Sequence, residues 1–167
     1  AKVRLTVDYD DSDRTYGSSL LLDGADSLKL KTVEAFTFEN GMTVEMWVEP
    51  SDINAAGSLF QNSGVSLALD GSGKLVATSG TAIAQYDLAA DARDLWKSGW
   101  NHIAFSANEA TLRLFVNGNL ANEVSAETHL VLDTVNVMGQ QYAGYMDEFR
   151  LWNTMRSDSL IARCHSL

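Results

Sequence analysis

The 167-residue chain has one cysteine, one proline and three histidines. The lone thiol, Cys164, excludes an intramolecular disulfide framework. No apolar run approaches the roughly 18 residues of a membrane-spanning helix, so no membrane insertion is expected. Zinc-ligand spacing, a glycine-rich phosphate loop and a serine nucleophile elbow are all missing. Positive charge is scarce as well: 12 Lys and Arg stand against 22 Asp and Glu, a net charge of −10. Such a chain offers no general phosphate-neutralising field, which argues against nucleic acid and against anionic membrane surfaces. Neutral sugars, divalent cations and protein surfaces remain as partners. The N-terminal AKVRLTVDYDDSD has no apolar signal core, so the expected chain is mature, intracellular or cut from a larger polypeptide.

What is present is a globular mixture, 46% hydrophobic and 20% charged. Its length fits one domain, residues 1–167, around one core. The dominant period is two. VRLTV (3–7), LLLDG (20–24), MTVEMWVEP (42–50), VSLALDG (65–71), KLVATSG (74–80), WNHIAFSA (100–107), ATLRLFVNG (110–118), TVNVMG (134–139) and YMDEFRLW (145–152) all read as strands. Asp70-Gly71 and Asn117-Gly118 supply the positive φ of tight hairpin turns, so neighbouring strands run antiparallel. Helix is scarce. LAADARDLWKS (88–98) fits one helical turn, and Ser157 fits the cap of a C-terminal helix over 157–167, with Leu160, Ile161 and Cys164 at helical spacing. The acidic stretch 8–17 reads as irregular, and residues 1–17 as an added edge strand and acidic loop. Many short alternating strands need a second sheet to cover their apolar faces. The expected fold is all-β, two antiparallel sheets packed face to face with a short C-terminal helix.

The motifs occur in a telling order: LLLDGADSLKL, FTFENGMTVEMWVEP, LFQNSGVSLALDGSGKL, WNHIAFS, TLRLFVNGNL and YAGYMDEFRLWNTMRSDSLI. Over residues 18–163 this order resembles the laminin-G-like and pentraxin-like branch of the concanavalin A-like lectin/glucanase superfamily. Its strongest marks are Trp47, Trp100-Asn101-His102, Val116-Asn117-Gly118 and the run Gly144 to Trp152. The resemblance implies a jelly-roll sandwich, a carbohydrate-binding or adhesion role, and a module of a larger extracellular or cell-surface protein. It also implies a structural calcium held by the aspartate of the near-terminal strand, which maps to Asp147, with Asp23 and Gly24 as partners. A calcium site tolerates few acids because carbonyls and waters complete it. Turn and strand-end hydrogen bonds explain the same aspartates without metal. The acidic loop of Asp8, Asp10, Asp11 and Asp13 is a second oxygen-rich candidate, but it lacks the glycine and terminal glutamate of a helix-loop-helix calcium loop.

Strand alternation assigns faces. Val44, Met46 and Val48 oppose Glu45, Trp47 and Glu49. Leu112, Leu114 and Val116 oppose Arg113 and Phe115. In YMDEFRLW, strict alternation puts Asp147 with Phe149 and Leu151, opposite Met146, Glu148, Arg150 and Trp152. A bare carboxylate on that apolar face would be costly. Glycan hydrolysis would need two carboxyls about 5–10 Å apart. Glu45 and Glu49 lie about 13 Å apart along one strand, which removes them. Glu45 and Glu148 are the remaining pair, against the simpler reading that either pairs with Arg150. His102 reads as a hydrogen-bonding residue, His129 stands alone, and Cys164, beside His165, reads as a half-buried apolar one. The reading is therefore non-catalytic. Sugars present C–H faces and hydroxyls together, so flat rings beside planar polar side chains are the expected ligand contacts. Trp96, Trp100, Tyr86, Tyr142 and Tyr145 lie near turns or strand ends. The expected site is Tyr86 and Trp96 with Gln61, Asn62, Gln141 and Tyr142, binding a glycan or a protein ligand. A protein-binding module without a sugar site is the alternative.

Overall fold

A computed structural model of the chain describes residues 19–90, 99–127 and 130–165. Two six-stranded antiparallel sheets form a jelly-roll sandwich. The first sheet runs, in spatial order, β1 (Leu20–Asp23), β14 (Ala143–Trp152), β4 (Met42–Pro50), β9 (Asn101–Ala107), β10 (Thr111–Val116) and β11 (Asn119–Ser125). The second runs β2 (Leu28–Lys31), β13 (Val135–Met138), β5 (Ala56–Gln61), β6 (Val65–Asp70), β7 (Lys74–Ser79) and β8 (Ala82–Asp87). A small pair, β3 (Phe36–Thr37) with β12 (Val131–Leu132), stands apart, and the helix α1 (Asp158–His165) ends the described chain.

Alternation builds the core as expected. Val44, Met46 and Val48 of β4 and Leu112 and Leu114 of β10 are fully buried and meet Leu59, Phe60, Leu67 and Leu75 of the other sheet. Phe60 spans the layers, with its ring centroid 6.4 Å from that of Phe105 in β9. One side of the sandwich is closed where Asn122 Nδ2 in β11 donates to the Gln85 carbonyl in β8 at 2.9 Å. Asn117 and Gly118, both at positive φ, form the two-residue turn between β10 and β11, where Val116 pairs with Asn119. Asn117 also locks the neighbouring strand: its Oδ1 accepts from the His102 backbone N–H at 2.9 Å.

Six elements lie outside the strands the sequence pattern marks: β2, β3, β5, β8, β11 and β12. Two are only two residues long, and β8 and β11 are edge strands with weak alternation. In β5 a bulge between Ser58 and Phe60 makes Leu59 and Phe60 consecutive buried residues, which breaks the period-two signal. The segments 3–7, most of 88–98 and His129 lie outside the described residues.

The expected facing of the last strand is overturned at one point. The β14–β4 register slips between Asp147 and Arg150, and Glu148 adopts φ 52°. This bulge inverts the alternation midway. Met146 is buried and pairs with buried Val48, whereas Asp147 pairs with outward Trp47. Beyond the bulge, Phe149 turns inward, its ring 5.8 Å from Phe60, and Arg150 lies outward opposite Glu45. Asp147 therefore does not share a face with Phe149 and Leu151, and no carboxylate enters the core there.

The chain then crosses back over the outer face of the first sheet. Thr43 Oγ1 donates to the Thr154 carbonyl at 2.8 Å and accepts from the Arg156 N–H at 2.9 Å. Ile161 of α1 is fully buried with Ala104 and Phe115 on that face. The helix begins where expected: Ser157 is its cap residue, and its carbonyl accepts from the Ile161 N–H at 3.1 Å. Among the described residues, one half of the outer face, over Thr43, Ala104 and Phe115, is thus covered, and the other, at Leu21, Tyr145 and Trp100, is exposed.

Candidate functional site

The covered half holds an ionic cluster. Glu45 is fully buried, yet Trp152 Nε1 donates to its Oε1 at 3.0 Å. Arg156 Nη1 lies 3.4 Å and Arg150 Nη1 3.8 Å from the same oxygen, and His102 Nε2 lies 3.8 Å from Oε2. The Arg156 guanidinium also stacks over Trp152 at 3.9 Å. Arg150 forms a further ion pair with Glu148. One guanidinium thus engages both glutamates of the hydrolase alternative, where a glycosidase would hold the scissile bond.

The uncovered half is built differently. Cross-strand register sets two rows of outward side chains. In the first, Leu21 pairs with Tyr145, and Tyr145 with Glu49. The β4–β9 register, carried one step past the pair Val48–Asn101, puts Trp100 on the far side of Glu49. The second row lies about 7 Å along the strands and runs Asp147, Trp47, His102. Trp47 packs edge-on against His102, with centroids 5.4 Å apart. Leu21, Trp100 and Tyr145 are 58%, 39% and 41% exposed. The Trp100 and Tyr145 ring centroids are 6.1 Å apart at 51°. Backbones two strands apart are separated by about 9.5 Å, so the rings lean toward each other across β4. In the first row two rings therefore flank one carboxylate over the three adjacent strands β14, β4 and β9.

The expected ligand residues do not form one site. Gln61 and Gln140 do meet, with Gln61 Nε2 donating to Gln140 Oε1 at 2.5 Å, and Gln141 follows in the same turn at φ 59°. Asn62 organises a turn instead: its Oδ1 accepts from the N–H groups of Gly64 and Val65, each at 3.0 Å, and its Nδ2 donates to the Val131 carbonyl at 2.8 Å. Tyr86 lies on the opposite edge of the second sheet and packs against the core. Tyr142 is only 1% exposed, so it is a core residue rather than a rim residue. Its hydroxyl donates to the Tyr145 carbonyl at 3.0 Å, and burial, reinforced by the Glu49 charge, pushes its ionisation well above the ordinary phenol range. Trp96 lies outside the described residues. Trp100 and Tyr145 are visible in the sequence as exposed-looking aromatics, but no local pattern joins residues 45 positions apart.

The expected calcium ligands do not converge either. Asp23 pairs with Ala143, four residues from Asp147 on the same strand, or about 13 Å away. The Asp23 carboxylate instead accepts from the Ala25 N–H at 2.8 Å, an Asx turn, and that of Asp147 from the Glu148 N–H at 2.7 Å. Asp23, Gly24 and Asp147 do not fit one coordination sphere. Among the described residues no cluster of three or more acidic, His or Cys side chains is arranged to hold a metal. The stretch of Asp8 to Asp13 lies outside them.

Comparisons with known proteins agree with the architecture. The binding domain of Paraclostridial Mosquitocidal Protein 1 is similar over 98% of this chain and 45% of its own, at 17% identity and a TM-score of 0.70. The binding domain of botulinum neurotoxin DC in complex with SialylT is similar over 90% and 44%, at 14% identity and TM-score 0.59. The same domain in complex with rat synaptotagmin II is similar over 90% and 45%, at 13% identity and TM-score 0.60. These likenesses are of fold, and the chain spans less than half the length of each solved chain. No curated protein matches the chain. A family model described as Concanavalin A-like lectin/glucanases superfamily matches residues 22–162, from β1 through both sheets into α1. The chain belongs to the concanavalin A-like lectin/glucanase superfamily, in its laminin-G branch.

Proposed function

We propose that this chain is a non-catalytic glycan-binding module of a larger extracellular or cell-surface protein. Its ligand lies on the uncovered half of the first sheet, across Tyr145, Glu49 and Trp100. The observation that carries this reading is the exposed pair Trp100–Tyr145, with ring centroids 6.1 Å apart and a carboxylate position between them in register. Exposed aromatics of this size are candidates for binding. The rings offer faces to the C–H surface of a sugar, and Glu49 offers hydrogen-bond acceptors to its hydroxyls. Superfamily membership and fold neighbours that are binding domains support the reading. The engagement of Glu45 and Glu148 by Arg150 supports the absence of catalysis. Calcium at Asp23, Gly24 and Asp147 forms no part of it, because those residues do not converge.

A protein ligand is the second reading. It is favoured by the aliphatic Leu21 at the end of the same row and by the neighbour solved with rat synaptotagmin II. A glycan array probed with the wild-type chain and the double variant Trp100→Ala/Tyr145→Ala tests between them. We expect glycan signal from the wild type and about a tenfold or greater loss in the variant, the scale of removing aromatic anchors. A variant that melts like the wild type yet binds undiminished overturns the placement. Silence on every glycan removes the sugar reading.

A further inference from the structure

We infer that this surface selects uncharged glycans and rejects anionic ones, sialylated glycans included; the inference rests on the glycan reading above. It comes from the charges around the aromatic pair. The outward positions of the uncovered half are Leu21 and Asp23 on β1, Tyr145 and Asp147 on β14, Trp47 and Glu49 on β4, and Trp100 just before β9; His102, next along β9, is buried beside Glu45. Three are carboxylates, and no Lys or Arg among the described residues occupies any of them. Glu49 stands in register between the two rings, and Asp147 lies one row away, diagonal to Glu49 and beside Trp47. Neither forms an ion pair among the described residues. The closest guanidinium in register, that of Arg150, pairs with Glu148 and lies beside buried Glu45. A sugar stacked on Trp100 and Tyr145 therefore has its hydroxyls over carboxylate oxygens. A carboxylate or sulfate on that sugar would meet like charge with no cation among the described residues of this patch to neutralise it. The chain's net charge of −10 adds a repulsive long-range field.

An array of glycans printed as matched neutral and sialylated pairs tests this with the full chain. Each neutral member is expected to bind about tenfold or more above its sialylated counterpart, the size of a partly screened repulsion at contact distance. Raising the salt should narrow that gap, because screening weakens the repulsion. The double variant Glu49→Gln/Asp147→Asn should bring the neutral-to-sialylated ratio toward one, whatever it does to both members in common. Equal or stronger binding of the sialylated members, lost in Trp100→Ala/Tyr145→Ala, overturns the selectivity and leaves the glycan reading standing. A ratio that survives Glu49→Gln/Asp147→Asn overturns the role given to these carboxylates. Absence of glycan binding, or binding indifferent to Trp100→Ala/Tyr145→Ala, overturns the glycan reading and the selectivity with it.

Discussion

The indole of Trp152 holds Glu45 by a 3.0 Å hydrogen bond from a diagonal position on the neighbouring strand. The carboxylate is fully buried, and Arg156 and Arg150 lie within 4 Å of the same oxygen. The cluster ties the end of β14 and the crossing segment to the middle of β4. Removing only one partner of a buried ionic group is costly because the others keep their charge. Glu45→Ala should therefore destabilise by about 3–5 kcal/mol. Glu45→Gln, which keeps an acceptor for the indole, should cost less. Urea denaturation measures both; a loss below about 1 kcal/mol for the alanine variant would mean water reaches the cluster.

The helix stays on the sheet chiefly through Ile161, which is buried with Ala104 and Phe115. Ile161→Ala leaves a gap against both and should cost about 2–4 kcal/mol. Leu160, 41% exposed on the same helix, should cost no more than about 0.5 kcal/mol when changed to alanine. Thermal melts of the two variants give the comparison, and equal losses would argue against this docking.

The bulge makes a distinct forecast. Glu148 holds φ 52°, a conformation costly for most side chains and worst for β-branched ones. Glu148→Gly relieves the backbone while losing the exposed pair with Arg150, so its stability should stay within about 1 kcal/mol of wild type. Glu148→Val loses the pair and adds strain, and should fall below the glycine variant by about 1–2 kcal/mol. If valine is tolerated as well as glycine, the register slip is misplaced.

Acid should loosen the helix start. Arg113 Nη2 donates to Asp158 Oδ2 at 2.8 Å, and that hydrogen bond holds the Asp158 carboxyl below its ordinary range. The same contact raises the Arg113 ionisation. A carboxyl depressed in the folded state adds stability that is present above its unfolded value, about 3.9, and is lost as pH falls through the folded value. Asp158 is 55% exposed, so solvent screens the pair and the contribution should stay under about 1 kcal/mol. Melting curves of wild type and Asp158→Asn should differ at neutral pH and converge below about pH 4. A gap that widens on acidification reverses the sign and sinks the assignment.

Much of this molecule is written in local pattern. Val44, Met46 and Val48 alternate with Glu45, Trp47 and Glu49 because a strand turns successive side chains to opposite faces, and the buried set is the expected one. Asn117-Gly118 announces its own turn because only residues tolerant of positive φ close a two-residue hairpin. The helix start at Ser157 follows from similar local chemistry.

What tertiary structure alone decided is pairing between distant segments. Glutamate carries no signal for positive φ, so the bulge at Glu148 appears only when β14 lies against β4. That one inversion moves Asp147 out of the core and separates the apolar face from the aspartate. Trp100 and Tyr145 become neighbours only through the order β14, β4, β9, and Glu45 becomes buried only when a segment more than 100 residues later crosses above it. Period-two patterning is a property of adjacent residues. Which strands lie side by side depends on the packing of the whole sandwich, and the candidate site is made of those long-range adjacencies.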